Sequence, residues 1–255
     1  MRANRLKAIW ASGGTVYNAW LWIPSGFSAE IAAHAGFDAV TVDCQHGLAG
    51  REAAAQMFTA ISTTDAVPLA RAQANDPGEI MKLLDLGAYG IVCPLVNSAE
   101  ECRRFVAACR YPPAGSRSFG PARGWLYGGE DYAAHANDEI VTFAMIETKA
   151  ALAELDAILA VPGLDGVYVG PNDLSLGLGH PATQDSAVPE VAAAIERIRA
   201  RAVAHGKVPG IACPSGAIAR RRVEQGFRFV TPGNEARLLG AALRGALAEA
   251  RGGTT

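Results

Sequence analysis

The stretch GLDGVYVGPNDLSLGLG, residues 163–179, contains the pattern that decides the fold. Its first half is a short run of apolar and β-branched residues that predicts a buried strand. The run ends in Gly170, Pro171, Asn172 and Asp173, residues that favour a turn. Asp173 therefore stands where the strand should end, with no lysine or arginine within several residues to neutralise it.

The same alternation of strand and helix repeats along the whole chain. Eight short apolar segments alternate with eight helical segments, and several helices end at glycine. Strands that are buried on both faces of a parallel sheet read as continuous apolar runs. The sequence therefore predicts one (β/α)8 TIM barrel over residues 1–255. A doubly wound open sheet is the alternative, but no GxGxxG follows the first strand.

Composition excludes several classes of protein. The chain has 255 residues, half of them hydrophobic, and a net charge of −2. Without a basic run, it is not expected to bind nucleic acid. It has no apolar run long enough to span a bilayer and no apolar segment typical of a secretory signal near residue 1, which predicts a cytoplasmic protein. Five cysteines without a CxxC pair predict reduced thiols.

One connection is much longer than the others. Residues 111–139, between the predicted fourth helix and fifth strand, show no clear helix or strand pattern. Loops of that length inside a compact domain are usually functional or mobile. We expect this segment to take part in selecting a substrate.

Polar residues follow the predicted strands at the point where each strand ends. Active sites of TIM barrels lie at the carboxyl ends of the strands, so these side chains should meet at one rim. They are Asp43, Gln45, His46, Arg71, Glu147 and Asp173. The Glu147 and Asp173 carboxylates suit a divalent metal, Mg²⁺, Mn²⁺ or Co²⁺, whose other positions a 2-oxo acid could fill.

Each of these residues also has a purely structural interpretation. Asp173 could cap the helix that follows it. Glu147 could pair with Lys149 or cap its own helix. His46 could be a structural histidine at a strand end, and Arg71 a structural ion-pair partner.

Four blocks of the sequence resemble the HpcH/HpaI family of metal-dependent pyruvate aldolases. They are FDAVTVDCQHG, the long block from PLARAQANDPGE to SFGPAR, AMIETKAAL and LDGVYVGPNDLSLGLG. The similarity runs in order from about Trp20 to Asn234 and is closest to the hydroxy-ketoacid aldolases. It implies a TIM barrel, a hexamer whose dimers exchange the last helix, and cleavage of 4-hydroxy-2-oxo acids into pyruvate or hydroxypyruvate and an aldehyde.

The resemblance also implies a role for each residue of the site. Glu147 and Asp173 would bind the metal, Arg71 would face the keto or enolate oxygen, and His46 with Asp43 would form a base dyad. Backbone N–H groups around Gly170, Pro171, Asn172 and Asp173 would hold the carboxylate of the 2-oxo acid, and Trp20 would lie in the site. One position departs from the pattern: many members have Glu where this chain has Gln45, and an amide neither takes up nor releases a proton at neutral pH.

Three other functions are considered beside a metal-dependent aldolase. Lys149 could form a Schiff base with the keto group, although that would require a desolvated amine and Lys149 stands at a helix start. A CoA-thioester lyase of the citrate lyase type would use the same carboxylates but would need a basic phosphate site, which the sequence does not show. A ligand-binding barrel without catalysis would not need base, carboxylate pair and arginine together.

Overall fold

Eight parallel strands close into a barrel in sequence order. The computed structural model describes residues 1–252. Each strand pairs with the next, and β8 pairs with β1 to complete the circle, which confirms the predicted (β/α)8 fold. The strands are β1 (Val16–Leu21), β2 (Ala39–Asp43), β3 (Val67–Arg71), β4 (Gly90–Cys93), β5 (Val141–Ile146), β6 (Gly166–Val169), β7 (Val208–Cys213) and β8 (Phe229–Pro232).

Helices surround the barrel, and many of them begin at a polar N-cap residue. Side-chain oxygens of Ser25, Asp76, Ser98, Thr148 and Ser215 accept a backbone N–H of the first helical turn, as N-cap residues do. The helices in residues 1–252 are α1 (Arg5–Ala11), α2 (Gly26–His34), α3 (Arg51–Ile61), α4 (Pro77–Asp85), α5 (Ala99–Ala108), α6 (Gly124–Gly128), α7 (Tyr132–Glu139), α8 (Lys149–Ala153), α9 (Leu155–Leu159), α10 (Pro171–Gly177), α11 (Pro189–Ala204), α12 (Gly216–Glu224) and α13 (Glu235–Ala250).

Polar and aromatic side chains fill the inside of the barrel. The amide of Asn18 shares hydrogen bonds with the hydroxyls of Thr41 and Thr231. The Tyr168 hydroxyl also donates to the Thr231 oxygen, at 2.7 Å. These groups satisfy one another's hydrogen bonds, so burying them is not costly, and they form a packed floor beneath the carboxyl ends of the strands.

Helix α1 was not predicted from the sequence. It precedes β1 and lies against the amino end of the barrel, where the Trp10 ring packs against Phe143 and Phe229 at centroid distances of 5.6 and 6.1 Å. The Trp10 indole N–H donates to the Arg228 carbonyl oxygen at 2.9 Å. Helix α1 therefore covers the end of the barrel opposite to the predicted site.

The segment 111–139 is not the unstructured loop that the sequence predicted. It contains α6 and α7, and its fully buried Arg117 donates to Asp85 at 2.9 Å and to the Tyr132 hydroxyl at 3.0 Å. The segment connects α5 to β5, and helix-to-strand connections lie at the amino end of a parallel barrel. Within a single chain it therefore lies toward the end of the barrel opposite to the carboxyl rim, and none of its residues lines the cavity there.

Helix α13 has no buried residues. Its leucines Leu238, Leu239, Leu243 and Leu247 are half or more exposed. The last helix therefore leaves a stripe of apolar surface uncovered within one chain. No helix in residues 1–252 has the length and apolar character needed to cross a membrane.

Candidate active site

A cavity opens at the carboxyl ends of the strands, where the sequence placed the site. It brings together most of the predicted residues: Trp20, His46, Arg71, Gly170, Pro171, Asn172 and Asp173 all line it. Asp43, Gln45 and Glu147 do not line the cavity, and Asp43 and Glu147 contact residues that do. Trp22, Met145, Tyr168, Gln184, Ala212, Cys213, Thr231, Gly233 and Asn234 complete the lining.

Asp43 and Arg71 form a buried ion pair behind the cavity. They are register partners on β2 and β3, which places their side chains next to each other. The Arg71 Nε donates to Asp43 Oδ1 at 2.8 Å, and the Arg71 Nη2 group donates to Asp43 Oδ2. Arg71 is thus an ion-pair partner, as its structural interpretation predicted, and it also faces the cavity.

Two indoles and two backbone groups complete the surroundings of the Asp43 carboxylate. The indole N–H groups of Trp20 and Trp22 donate to Oδ2 at 3.0 and 2.7 Å. The backbone N–H groups of Gln45 and His46 donate to Oδ1 at 2.9 and 3.1 Å. Burial alone would raise the pKa of Asp43, but the hydrogen bond and charge of Arg71, together with the hydrogen bonds of Trp20 and the His46 backbone, hold that pKa below its ordinary value.

This arrangement corrects the predicted base dyad. The Asp43 carboxylate accepts a hydrogen bond from the backbone N–H of His46 and not from the imidazole ring of His46. A carboxylate has about four lone-pair positions, and the donors on Asp43 already fill them. Asp43 therefore orients Arg71 and two tryptophans instead of the imidazole.

Trp20 and Tyr168 form an aromatic wall that supports the arginine. Their rings stack at a centroid distance of 5.2 Å with an interplanar angle of 21°. The Arg71 Cζ atom lies 5.0 Å from the centre of the Trp20 ring, close enough for a cation–π interaction. The guanidinium is therefore fixed from one face by the indole and along its edge by Asp43.

Glu147 is a buried carboxylate whose Oε2 accepts no hydrogen bond from residues 1–252, which leaves it available to a ligand. Its Oε1 accepts the backbone N–H of Leu95 at 2.9 Å. Leu95 has a φ of 52°, a strained conformation for a residue with a side chain, and such strain often lies at functional sites. A Cβ atom added at Gly170 would lie only 2.5 Å from Oε2, so the glycine leaves space beside that oxygen.

The electrostatics of Glu147 match a site for a cation. Burial raises the pKa of Glu147 above its ordinary value, and the charge of Asp173 raises it further. The Leu95 N–H and Arg71 offset only part of this rise. Thr148, and not Glu147, caps α8, so the capping interpretation of Glu147 is wrong.

Asp173 lies within the first turn of α10 and is exposed toward the cavity. Gly170 occupies the N-cap position, so the interpretation of Asp173 as the helix cap is wrong. A carboxylate in the first turn is stabilised by the helix dipole. The N–H groups of Asn172 and Asp173 belong to the turn whose donors have no partner inside the helix, and these groups can bind an anion.

The remaining predicted residues lie at the rim or outside it. His46 is exposed and lines the cavity. The side-chain oxygen of Gln45 is buried without a hydrogen-bond partner among residues 1–252. Lys149 is exposed as the first residue of α8 and does not line the cavity, so it lacks the desolvated surroundings that a Schiff-base lysine needs.

Sequence reasoning missed several cavity residues. Trp22 stands two positions after Trp20, and the period of two along a strand places both on the same side. Cys213 and Thr231 lie at the ends of β7 and β8, where the strand-end argument applies equally. Burial raises the pKa of Cys213 to about 12, so its thiol stays neutral. No pattern in the sequence pointed to Gln184 or Asn234 as cavity residues.

The residues present fit a divalent metal of the kind that takes oxygen ligands. Glu147 supplies a buried oxygen beside Gly170, a residue that lines the cavity, and Asp173 supplies a second carboxylate whose charge repels the first. No group of three or more His, Cys, Asp or Glu side chains within residues 1–252 forms a closed metal site. Two protein ligands leave several positions for a substrate, which is typical of Mg²⁺ and Mn²⁺ sites that act on small molecules.

Comparison with known proteins gives consistent matches over nearly the whole chain. The model of the family described as HpcH/HpaI aldolase/citrate lyase matches residues 18–241. A hydroxypyruvate/pyruvate aldolase of Rhizorhabdus wittichii is 45% identical over 248 residues, which cover 97% of this chain and 99% of that protein. A 4-hydroxy-2-oxo-heptane-1,7-dioate aldolase of Salmonella dublin is 38% identical over 239 residues, 92% of this chain and 90% of that protein.

A solved structure agrees with the same match. The crystal structure of an HpcH/HpaI aldolase/citrate lyase family protein from Burkholderia cenocepacia superposes with a TM-score of 0.91 at 30% identity. The superposition covers 98% of this chain and all of that one.

Proposed function

Because the chain belongs to the HpcH/HpaI aldolase/citrate lyase family, we propose that it is a carbon–carbon lyase acting on 4-hydroxy-2-oxo acids. It would cleave them reversibly to pyruvate or hydroxypyruvate and an aldehyde. The observation that carries this proposal is the cavity lined by the Asp173 carboxylate and the fixed cation of Arg71, with the buried carboxylate of Glu147 beside Gly170. The proposal places the reaction in the cytoplasm.

Glu147 and Asp173 would hold the divalent metal, Mg²⁺, Mn²⁺ or Co²⁺. When bound, such an ion supplies a Lewis acid that withdraws electrons from the keto oxygen of the 2-oxo acid. The free Oε2 of Glu147, beside the space at Gly170, is the buried oxygen available for it. Asp173 would contribute from the exposed side of the cavity.

The chain's own groups would bind the 2-oxo acid and stabilise the enolate. The N–H groups of the first turn of α10, those of Asn172 and Asp173 next to Gly170 and Pro171, would hold its carboxylate. Arg71 would donate to the keto oxygen, where negative charge develops as the carbon–carbon bond breaks. Its fixed orientation on Asp43 and Trp20 means that little reorganisation is needed during the reaction. Trp20 would form the wall against which the substrate lies.

His46 would act as the base. Imidazole is the usual side chain for proton transfer at neutral pH. His46 would take the proton of the 4-hydroxyl, the bond between C3 and C4 would break, the aldehyde would leave, and the electron pair would pass to the enolate. Protonation of C3 then gives pyruvate or hydroxypyruvate. Gln45 neither takes up nor releases a proton at neutral pH and would serve at most as a hydrogen-bonding group of the site.

An oligomer belongs to this proposal. Two of the exposed leucines of α13, Leu238 and Leu239, line an apolar groove of about 450 Å³ together with residues that include Phe27 and Ile31. Exposed apolar patches of this kind mark interaction surfaces. A homohexamer with exchanged last helices would cover this patch.

The test is a cleavage and aldol assay with and without metal. Pyruvate and hydroxypyruvate are offered with a panel of aldehydes, and EDTA should abolish turnover while Mn²⁺ or Mg²⁺ restores it. Inactivation by borohydride in the presence of pyruvate, together with insensitivity to EDTA, would instead support the Schiff-base alternative. Turnover of a CoA thioester in place of the 2-oxo acids would support the lyase of the citrate lyase type.

A further inference from the structure

Trp22 is anchored at three points at the end of β1. Its indole N–H donates to Asp43 Oδ2 at 2.7 Å. Its carbonyl oxygen accepts the backbone N–H of Leu48 at 2.9 Å, and its own backbone N–H donates to Glu235 Oε2 at 2.8 Å. Trp22 therefore connects the loop after β2, the buried ion pair and α13.

Glu235 is the anchor on the side of α13. Its Oε2 accepts the backbone N–H groups of Trp22 and Ala236, each at 2.8 Å, and its Oε1 accepts that of Ile23 at 2.8 Å. The side chain is half-buried, and it is the first residue of α13. Two of its three donors belong to the backbone just after β1, so the position of α13 fixes the position of Trp22.

The other end of this connection reaches Arg71. Trp22 and the Nη2 group of Arg71 donate to the same oxygen of Asp43, while the Arg71 Nε donates to the other oxygen. A carboxylate that loses one indole donor rotates toward its remaining donors, and the guanidinium bonded to both oxygens follows it. The direction in which Arg71 faces the cavity thus depends on a hydrogen bond made by Trp22.

We propose that Trp22 is a positioning residue for the reaction and that Glu235 holds it in place. The position of α13 thereby determines, through the Trp22 indole and the Asp43 carboxylate, how the guanidinium of Arg71 is oriented. This inference rests on the proposed function for its kinetic consequence, because Arg71 is assigned there to the enolate oxygen. Its structural part concerns only the hydrogen bonds of this chain. Trp22 also lines the cavity, but the role proposed here is carried by its indole N–H.

Two substitutions test the connection at its two ends, with a matched control. Trp22→Phe keeps an aromatic ring and removes the N–H, and Glu235→Gln keeps the side-chain shape and replaces one acceptor oxygen by a donor. Trp10→Phe is the control, because it also removes an indole hydrogen bond, the one to the Arg228 carbonyl oxygen, but at the opposite end of the barrel. All three are studied as the full chain in its native assembly.

The first readout is NMR of the metal-free protein labelled with ¹⁵N at the indole and arginine side-chain nitrogens. We expect the Arg71 Nε–H signal to move in Trp22→Phe, and both it and the Trp22 indole signal to move in Glu235→Gln. Trp10→Phe should leave the signals of Trp22 and Arg71 in place. An Arg71 signal that is unchanged in Trp22→Phe, or a Trp22 signal that is unchanged in Glu235→Gln, would overturn the proposal whether or not the protein is an aldolase.

The second readout is the exchange of pyruvate methyl protons with deuterated water in the presence of Mn²⁺. We expect kcat to fall between about 10- and 10²-fold in Trp22→Phe and in Glu235→Gln, as for a small misplacement of a catalytic group. KM should change little, because the carboxylate of pyruvate is held at α10. A merely structural role would lower thermal stability and leave kcat per folded protein unchanged, and that result would reject the positioning role. Absence of exchange in the unsubstituted protein would instead count against the proposed function.

Discussion

Gly170→Ala tests whether the free oxygen of Glu147 is part of the site. A Cβ at position 170 would lie 2.5 Å from Oε2, 3.1 Å from the Met145 Cε and 3.3 Å from the Glu147 Cβ. Ordinary van der Waals contact begins at 3.4 Å, so the carboxylate oxygen must move by about 0.9 Å. Its partner oxygen is held by the Leu95 N–H, so the carboxylate can make room only by rotating away from the cavity.

We expect this displacement to weaken metal binding by about 10- to 100-fold, the usual effect of disturbing the surroundings of a metal ligand. That range corresponds to about 1.4 to 2.7 kcal/mol of binding free energy. The loss of glycine at the N-cap costs at most about 2 kcal/mol of stability, so the barrel should remain folded. Calorimetric titration of the metal-free protein with Mn²⁺ measures the affinity, and pyruvate proton exchange measures the consequence for the reaction.

Gly177→Ala is the matched control in the same helix. A Cβ at that position meets its nearest atom, the Glu147 carbonyl oxygen, at an ordinary 3.6 Å. Alanine is also the better helix former, so this variant should keep its metal affinity and gain slightly in stability. Equal metal affinity in Gly170→Ala and Gly177→Ala would refute the assignment of Glu147 Oε2 as a ligand.

Three further predictions address the other parts of the site. Arg71→Ala should slow both pyruvate proton exchange and aldol cleavage by about 10²–10³. His46→Ala should slow cleavage by about 10²–10⁴ and proton exchange less. Equal losses of both rates in His46→Ala would contradict the assignment of His46 to the 4-hydroxyl proton. Burial raises the pKa of Glu147, so ionising this carboxyl group lowers the free energy of unfolding. The metal-free protein should therefore lose stability relative to Glu147→Gln as the pH rises through that raised pKa, and the two proteins should be equally stable below the ordinary carboxyl range. Thermal unfolding of both proteins over that pH range checks the sign. Light scattering should give the mass of an oligomer. A mass of one chain would contradict the proposed hexamer with exchanged last helices.

The sequence was sufficient to predict the barrel and most of its rim. Strands that read as apolar runs and end in polar residues need only the rule that parallel strands end at one face, so Arg71, His46 and Asp173 could be assigned to one cavity. Helix α1 could not be predicted in the same way, because its main contact, the Trp10 ring against Phe143 and Phe229, is made between residues more than a hundred positions apart.

The details of hydrogen bonding were also beyond the sequence pattern. Asp43 stands three residues before His46, a spacing that suggested a side-chain pair. The chain turns sharply after β2, however, so the backbone N–H groups of Gln45 and His46 fold back onto the carboxylate. Arg71 is the register partner on the next strand and takes the remaining positions.

The neutral thiol of Cys213 has a practical consequence for an enzyme that handles aldehydes. Thiolates add to aldehydes, and a reactive cysteine in the cavity would be consumed by the substrate. Because burial raises the pKa of this thiol to about 12, it is almost entirely un-ionised at pH 7. We therefore expect the Cys213 thiol to stay unmodified when the protein is exposed to high concentrations of electrophilic aldehydes, because the thiol is both buried and un-ionised.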